Sequence, residues 1–386
     1  MPAHGIRQSV EIKALTGMRA LAAWWVVIYH VRDLLPQVLP AVSLPIHLIA
    51  DPGYLGVDLF FILSGFVIAH NYWDRLANFQ ACEFRRFLGM RLARLYPVHV
   101  VTLGAAGVLF LLARFRHIAI ASDLGAWNSG TFIENLLLVH HWMPFAPLSW
   151  NYPAWSISCE WLAYLAFPAL VALLKDHLGR GRFPVVLGLL AVQCVTVQGK
   201  FGNDLIRIST EFSAGVVLWR IYQSRLPNRF ILPVAGILCC GSLLGQSLWH
   251  CGEVWLVLAF PFFIYGITRD GRLSRLFSSR CALYWGRASY SLYMFHAIVS
   301  MVLGKLLPLR AFANAPVGER LALIALWFAA FGGAAALSYA FLEVPGRRRM
   351  QMIFDRYETP KMSFLWSRPD PTLRNPRPDS LTAPRC

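Results

Sequence analysis

The sequence predicts an all-α integral membrane protein, about ten transmembrane helices in one bundle with both termini in the cytoplasm. Three observations carry this expectation. Of 386 residues, 57% are hydrophobic, and the mean hydropathy of +0.50 leaves too little polar surface to wrap a soluble core. The apolar residues gather into runs of about 18 to 20, the length that crosses the hydrocarbon layer as a helix. The 36 Lys and Arg, which outnumber 20 Asp and Glu to give a formal charge of +16, concentrate in alternate loops. With the N-terminus inside, that asymmetry is the one the positive-inside rule requires. It is topogenic charge, and it argues against the nucleic-acid partner that such a balance would suggest in a soluble domain.

Taken in order, the runs predict spans at 14–33, 54–72, 94–113, 155–174, 183–198, 210–224, 230–248, 254–268, 288–306 and 321–342. Segment 131–143 (TFIENLLLVHHWM) is too short to cross and carries a Glu and two His, so an interfacial or re-entrant piece is expected there. The first run is long, contains Arg19 and has no small-residue cleavage site after His30, so it reads as a retained span rather than a leader. Residues 1–349 are expected to form the membrane domain, and 350–386 a polar, Pro-rich cytoplasmic tail without fixed structure. The 8 cysteines form no C-x-x-C pair and no Cys/His cluster at zinc spacing. Neither a metal site nor a disulfide framework is predicted.

The first span, ALTGMRALAAWWVVIYHV, organises the rest. Arg19 and His30 are eleven residues apart, which at about 100° per residue brings them to within roughly 20° of one another on one helix face. Ionisable groups in a spanning helix face a protein interior or a watery cavity. In the predicted topology His30 lies in the outer third of span one. Asp58, early in span two, and Glu160, early in span four, enter at a similar depth. An imidazole with carboxylates to orient it is the composition of an acid/base site. At the inner face, Arg91 and Arg94 are spaced i, i+3 at the predicted start of span three. Paired guanidinium groups at a helix N-terminus suit an anionic phosphate. Gly53, Gly56 and Gly65 bracket span two, where small residues permit close helix approach or leave room for a ligand. A mid-span hydroxyl such as Ser64 commonly bonds back to its own helix.

LTGMRALAAWWVVIYH, GVDLFFILSGFVIAH, RRFLGMRLARLYPVH, PAWSISCEWLAYLAFP, WGRASYSLYMFH and FLEVPGRR follow one another in that order. In order and spacing they resemble the type 3 membrane acyltransferases, bacterial inner-membrane enzymes that O-acylate sugars of surface polysaccharides and related acceptors. The likeness runs from about Leu15 to Arg348. Thr16, Met18, Cys159 and Trp161 depart from the residues common in the family. The resemblance implies a catalytic histidine at His30, the first-span arginine at Arg19, the Arg-x-x-Arg pair at Arg91 and Arg94, and the Ser-Gly-Phe element at Ser64, Gly65 and Phe66. It further implies a cytoplasmic acyl-CoA donor, most often acetyl-CoA, and a carbohydrate acceptor.

On this reading His30 takes the proton of a sugar hydroxyl, with Asp58 or Glu160 holding its tautomer. Arg91 and Arg94 grip the donor's phosphates, and Arg19 steers the donor between them. A transporter or flippase for a lipid-linked saccharide is the rival, but matching halves with broken Gly/Pro spans are not found. A polyprenyl-sugar glycosyltransferase would want an acidic pair in the first outer loop, where Asp51 stands far from Asp33. A membrane scaffold would leave His30 without a purpose.

Overall fold

In the computed structural model, the described residues are 11–39, 43–117, 126–143, 146–175, 184–186, 188–192, 204–224, 231, 233–239, 241, 252–269 and 271–358. Among them there is no strand. The principal helices are α1 (Lys13–Val31), α2 (Gly56–Leu76), α3 (Ala81–Phe115), α4 (Ser129–Leu136), α5 (Ala154–Lys175), α6 (Asp204–Gln223), α7 (Gly252–Ile267), α8 (Arg280–Leu306), α9 (Val317–Ser338) and α10 (Val344–Glu358). Among the described residues, five helical stretches are long and apolar enough to cross a membrane: Lys13–Val31, His47–Leu76, Ala81–Phe115, Ala154–Lys175 and Val317–Phe354. The spans predicted at 183–198 and 230–248 fall largely outside the described residues, and 359–386 of the tail lies wholly outside them.

Two boundaries differ from the sequence reading. The basic stretch before residue 94, read as a loop, is helical from Ala81. At about 1.5 Å per residue the 35-residue α3 is some 52 Å long, well beyond the hydrocarbon thickness, so its Arg-rich first half extends past the apolar part. Arg91 and Arg94 therefore lie roughly three to four turns inside a continuous helix, and the expectation that they act with N-terminal backbone amides does not hold. The tail predicted from 350 stays helical to Glu358, because α10 packs along α3 with Phe354 against Gly89. The short 131–143 segment is, as expected, no span: α4 is eight residues long and opens on a capping box between Asn128 and Thr131.

Without a hydrophobic drive between helices in lipid, small residues set where backbones meet. The closest crossing is between α2 and α6. A Cβ added to Gly65 would collide with the Phe212 carbonyl, and one added to Gly215 would collide with the Ile62 carbonyl. Gly286 of α8 allows a second close approach, onto the Thr16 carbonyl of α1, and Gly17 of α1 lies against the Phe277 carbonyl just before α8. Around these contacts the main core gathers Met18, Ile62, Phe66, Leu95, Phe167 and Phe212, and a smaller cluster joins α1 to α9 through Val27, Val31, Trp327 and Phe331. Between α9 and α10 the chain passes through five residues of π-helix, Tyr339–Glu343. Such a bulge rotates the helix face and is frequent at functional sites. Here it turns Glu343 inward, to 1% exposure.

Candidate active site

Two joined cavities run along the face that α1 presents to α2, α3 and α8. The wider one, about 540 Å³, lies at the end of the bundle that holds the start of α1 and the basic half of α3. Its walls carry Arg19, Arg91, Arg94, Arg287 and Arg347, with Glu11 as their acidic counterpart. Arg19, Arg91 and Arg94 also line the second cavity, a narrow space of about 70 Å³ that continues between the helices past Ser64, Glu160 and Tyr293. Of the predicted α1 pair, Arg19 lines both cavities and His30 lines neither. Arg19 points to the junction of the two spaces, with its guanidinium 5.9 Å from the Phe60 ring centre.

The three arginines of the junction are held differently. Arg91 donates to the Tyr72 hydroxyl at 2.9 Å and lies over that ring at 5.0 Å. Arg94 stands 3.9 Å from the buried Glu343 carboxylate, whose other oxygen accepts from Ser291 Oγ at 2.7 Å, with Ser338 bonded on to Ser291 at 3.0 Å. The π-helical turn aims Glu343 at Arg94. Pro97 sits within α3 just beyond these arginines, and the Tyr290 hydroxyl donates to the Leu95 carbonyl at 2.6 Å.

His30, Asp58 and Glu160 do not share a site. Each has its own partners, so neither carboxylate orients the imidazole. Asp58 is fully buried and receives both arms of Arg207, the Nε–H at 3.0 Å and an Nη–H in a short contact to its second oxygen. Arg207 comes from the first turns of α6, beneath the Tyr54 and Trp155 rings. It fell outside the predicted span at 210–224, although Asp204, Arg207 and Glu211 at i, i+3, i+7 mark a polar helix face. Asp204 extends the same network, accepting from His141 Nε2 at 2.6 Å. Glu160 accepts from Ser64 Oγ and Tyr164 OH, both at 2.5 Å. Ser64 therefore bonds across the narrow cavity rather than back to its own helix. Gly65 does not line either cavity: its missing side chain serves the α2–α6 crossing, which corrects the expectation that it would help hold a ligand.

His30 lies at the far end of the α1 stripe and is exposed. Its Nδ1 is 2.8 Å from the Val26 carbonyl. A carbonyl only accepts, so Nδ1 carries the hydrogen and Nε2 is left with its lone pair. Its ring contacts are Tyr29 at 5.1 Å, Tyr152 at 5.1 Å and His296 at 4.7 Å. His296 in turn lies 5.8 Å from Tyr293, which walls the narrow cavity and hydrogen-bonds Ser156 at 2.8 Å. His296 belongs to a polar-aromatic stretch of α8 with Ser289, Tyr290, Ser291 and Tyr293, and its meeting with His30 was not legible in the sequence.

Helices of membrane-crossing length, packed around an arginine-lined basin that joins a narrower cavity, define a multi-helix membrane protein. The chain belongs to the type 3 acyltransferase family: the family model described as an acyltransferase domain matches residues 12–343. It is similar to the acyltransferase MdmB of Streptomyces mycarofaciens, 32% identical over 266 residues, covering 67% of this chain and 64% of the relative. It is also similar to the peptidoglycan O-acetyltransferase OatA of Listeria monocytogenes, 24% identical over 390 residues, covering 92% of this chain and 59% of that protein. The chain thus spans under two thirds of the length of each of these relatives. No solved structure matches the chain.

Proposed function

We propose that this protein is a multi-pass O-acyltransferase of the bacterial inner membrane. It would move an acyl group, most often acetyl, from cytoplasmic acyl-CoA to a hydroxyl of a carbohydrate acceptor. The observation that carries this reading is the joined pair of cavities. Five arginines against one carboxylate line a basin of about 540 Å³, a surface suited to the phosphates of a CoA headgroup. On this reading the narrow continuation takes a thin pantetheine arm as far as Tyr293, whose ring lies 5.8 Å from His296, itself 4.7 Å from His30. Both termini and the basic end of the bundle are assigned to the cytoplasm by the distribution of Lys and Arg, and the remaining spans of the ten fall in the stretches at 183–198 and 230–248 and in α6, α7 and α8.

In the proposed reaction the acceptor oxygen attacks the thioester carbonyl carbon while His30 Nε2 takes the hydroxyl proton. The C–S bond breaks, and the thiolate leaves with that proton as free CoA. Arg91 and Arg94 hold phosphate, and Arg19 compensates charge where basin and channel meet. Asp58 serves to fix α6 through Arg207, and Glu160 to orient Ser64 in the channel. The test uses membranes carrying wild type, His30→Ala or Arg94→Ala with radiolabelled acetyl-CoA. Acceptor labelling is expected to vanish in the first variant and to need far more donor in the second. Undiminished labelling by a well-expressed His30→Ala protein would overturn the mechanism.

A further inference from the structure

We infer that the end of the narrow cavity farthest from the basin is an acyl-selecting cup, in which Phe60 and Ile157 limit the group carried by the donor to a short acyl chain. The inference rests on the acyltransferase reading and adds to it the residues that choose the acyl group.

The residues of α2 that line the narrow cavity give its direction. Val67 lines both cavities, and Ser64, Phe60 and Val57 follow it in the narrow one. From Val67 to Val57 is ten residues, about 15 Å of helix. The lining changes character over that length. At the junction it is cationic, with Arg19, Arg91 and Arg94 shared by both spaces. Around Ser64 it is polar, through Glu160 and Tyr164. At the far end it is carbon, supplied by Val57, Phe60, Phe61 and Ile157. Phe60 is where the change falls: its ring centre is 5.9 Å from the Arg19 guanidinium and 6.2 Å from the Tyr293 ring.

The two hydroxyls at this end are already engaged. Ser156 Oγ is 3.2 Å from the Pro153 carbonyl, which only accepts, so Ser156 donates there and takes the Tyr293 hydrogen at 2.8 Å. Rings close the end: Tyr293 meets Phe60 at 6.2 Å and His296 at 5.8 Å, and Phe61 meets Trp155 at 6.1 Å. A group carried up the channel therefore meets the cup before the rings that lead to His30. An anionic head, a polar arm and an apolar terminal group match the cationic, polar and apolar parts in that order. Burying the hydrocarbon of an acyl group there is favourable, whereas a polar terminal group would lose its hydration without a partner. The walls also limit size. Phe61 and Ile157 are 3% and 5% exposed, so a chain longer than the cup must displace packed side chains. In such pockets one methylene separates substrates by about tenfold or more.

The test uses membranes carrying the full chain as wild type, Phe60→Val, which widens the cup, or Ile157→Val, which removes a single methylene and is the milder change for folding. Transfer of label to membrane acceptor is followed with acetyl-CoA, propionyl-CoA and butyryl-CoA, each radiolabelled in the acyl group. Wild type is expected to favour acetyl-CoA over butyryl-CoA by about tenfold or more in kcat/KM. The butyryl-to-acetyl ratio is expected to rise about tenfold or more in Phe60→Val and about threefold or more in Ile157→Val. The ratio is internal to each preparation, so a lower yield of folded protein does not move it, and Ile157→Val decides if Phe60→Val does not fold. A wild type that uses butyryl-CoA as well as acetyl-CoA, or a folded variant with the wild-type ratio, would overturn the inference and leave the acyltransferase reading in place. If the wild type transfers none of the three groups, the acyltransferase reading fails and the inference falls with it.

Discussion

Removing Arg207 tests the part of the site that departs furthest from the sequence reading. Its guanidinium is 12% exposed and meets an Asp58 carboxylate that is 0% exposed, through two hydrogen bonds. Taking one partner from a buried ion pair leaves an uncompensated charge and costs about 3–5 kcal/mol. Replacing both by apolar groups of similar volume removes that penalty and is close to neutral. Arg207→Met should therefore unfold at a clearly lower temperature than wild type, followed by tryptophan fluorescence or by size-exclusion of a fluorescent fusion after heating in detergent. The double variant Arg207→Met/Asp58→Leu should regain most of the loss. In the same preparations, Asp58→Leu alone should be worse than the pair. A single variant as stable as wild type, or a double variant no better than Arg207→Met, would refute the argument that Asp58 exists for α6 rather than for His30.

Gly65→Leu is expected to push α2 off the Phe212 backbone and to cost about 1–3 kcal/mol or abolish folding, read as loss of the monodisperse peak on size-exclusion, while Ser64→Ala at the neighbouring position keeps that peak. Arg347→Ala, on the rim of the basin, should raise the KM for acetyl-CoA and weaken its salt dependence with little change in kcat, measured in membranes over a range of ionic strength. Glu11 gives a pH signature. Burial raises its carboxyl, but hydrogen bonds from Arg287 and Thr16 and the charge of Arg287 outweigh this and hold it below the usual value of 4.5. A lowered carboxylate stabilises the folded state above its unfolded value and loses that contribution as pH falls through the folded value. The pair is solvent-exposed and worth at most about 1 kcal/mol. Wild type should melt slightly above Glu11→Gln at pH 7, with the difference gone near pH 3.

The depth argument shows how far sequence reaches in such a protein. Counting residues from a span end placed His30, Asp58 and Glu160 at a similar level, yet Glu160 bonds Ser64, which lies six residues, about 9 Å, along α2 from Asp58. Depth is only one coordinate. Which way Asp58 faces follows from α6, 149 residues away in sequence, whose approach is set by Gly65 and Gly215. Which ring His30 meets follows from α8 crossing α1 at Gly286. Glu160 looks across the narrow cavity because Ser64 and Tyr164 flank it there.

What the sequence by itself determined is what depends on neighbours along the chain. The apolar runs near 14–33, 54–72, 94–113, 155–174 and 321–342 became membrane-length helices, since length and composition are local quantities. The Arg19–His30 stripe and the Arg91–Arg94 pair followed from helical periodicity alone. The ends of helices escaped it where distant packing extends them, as α3 and α10 extend each other through Phe354 and Gly89. Only the tertiary structure decided the partners: Arg207 for Asp58, Ser64 and Tyr164 for Glu160, Arg94 for Glu343, and His296 for His30. A partner is a matter of helix rotation and crossing in three dimensions, and no spacing within one segment carries that information.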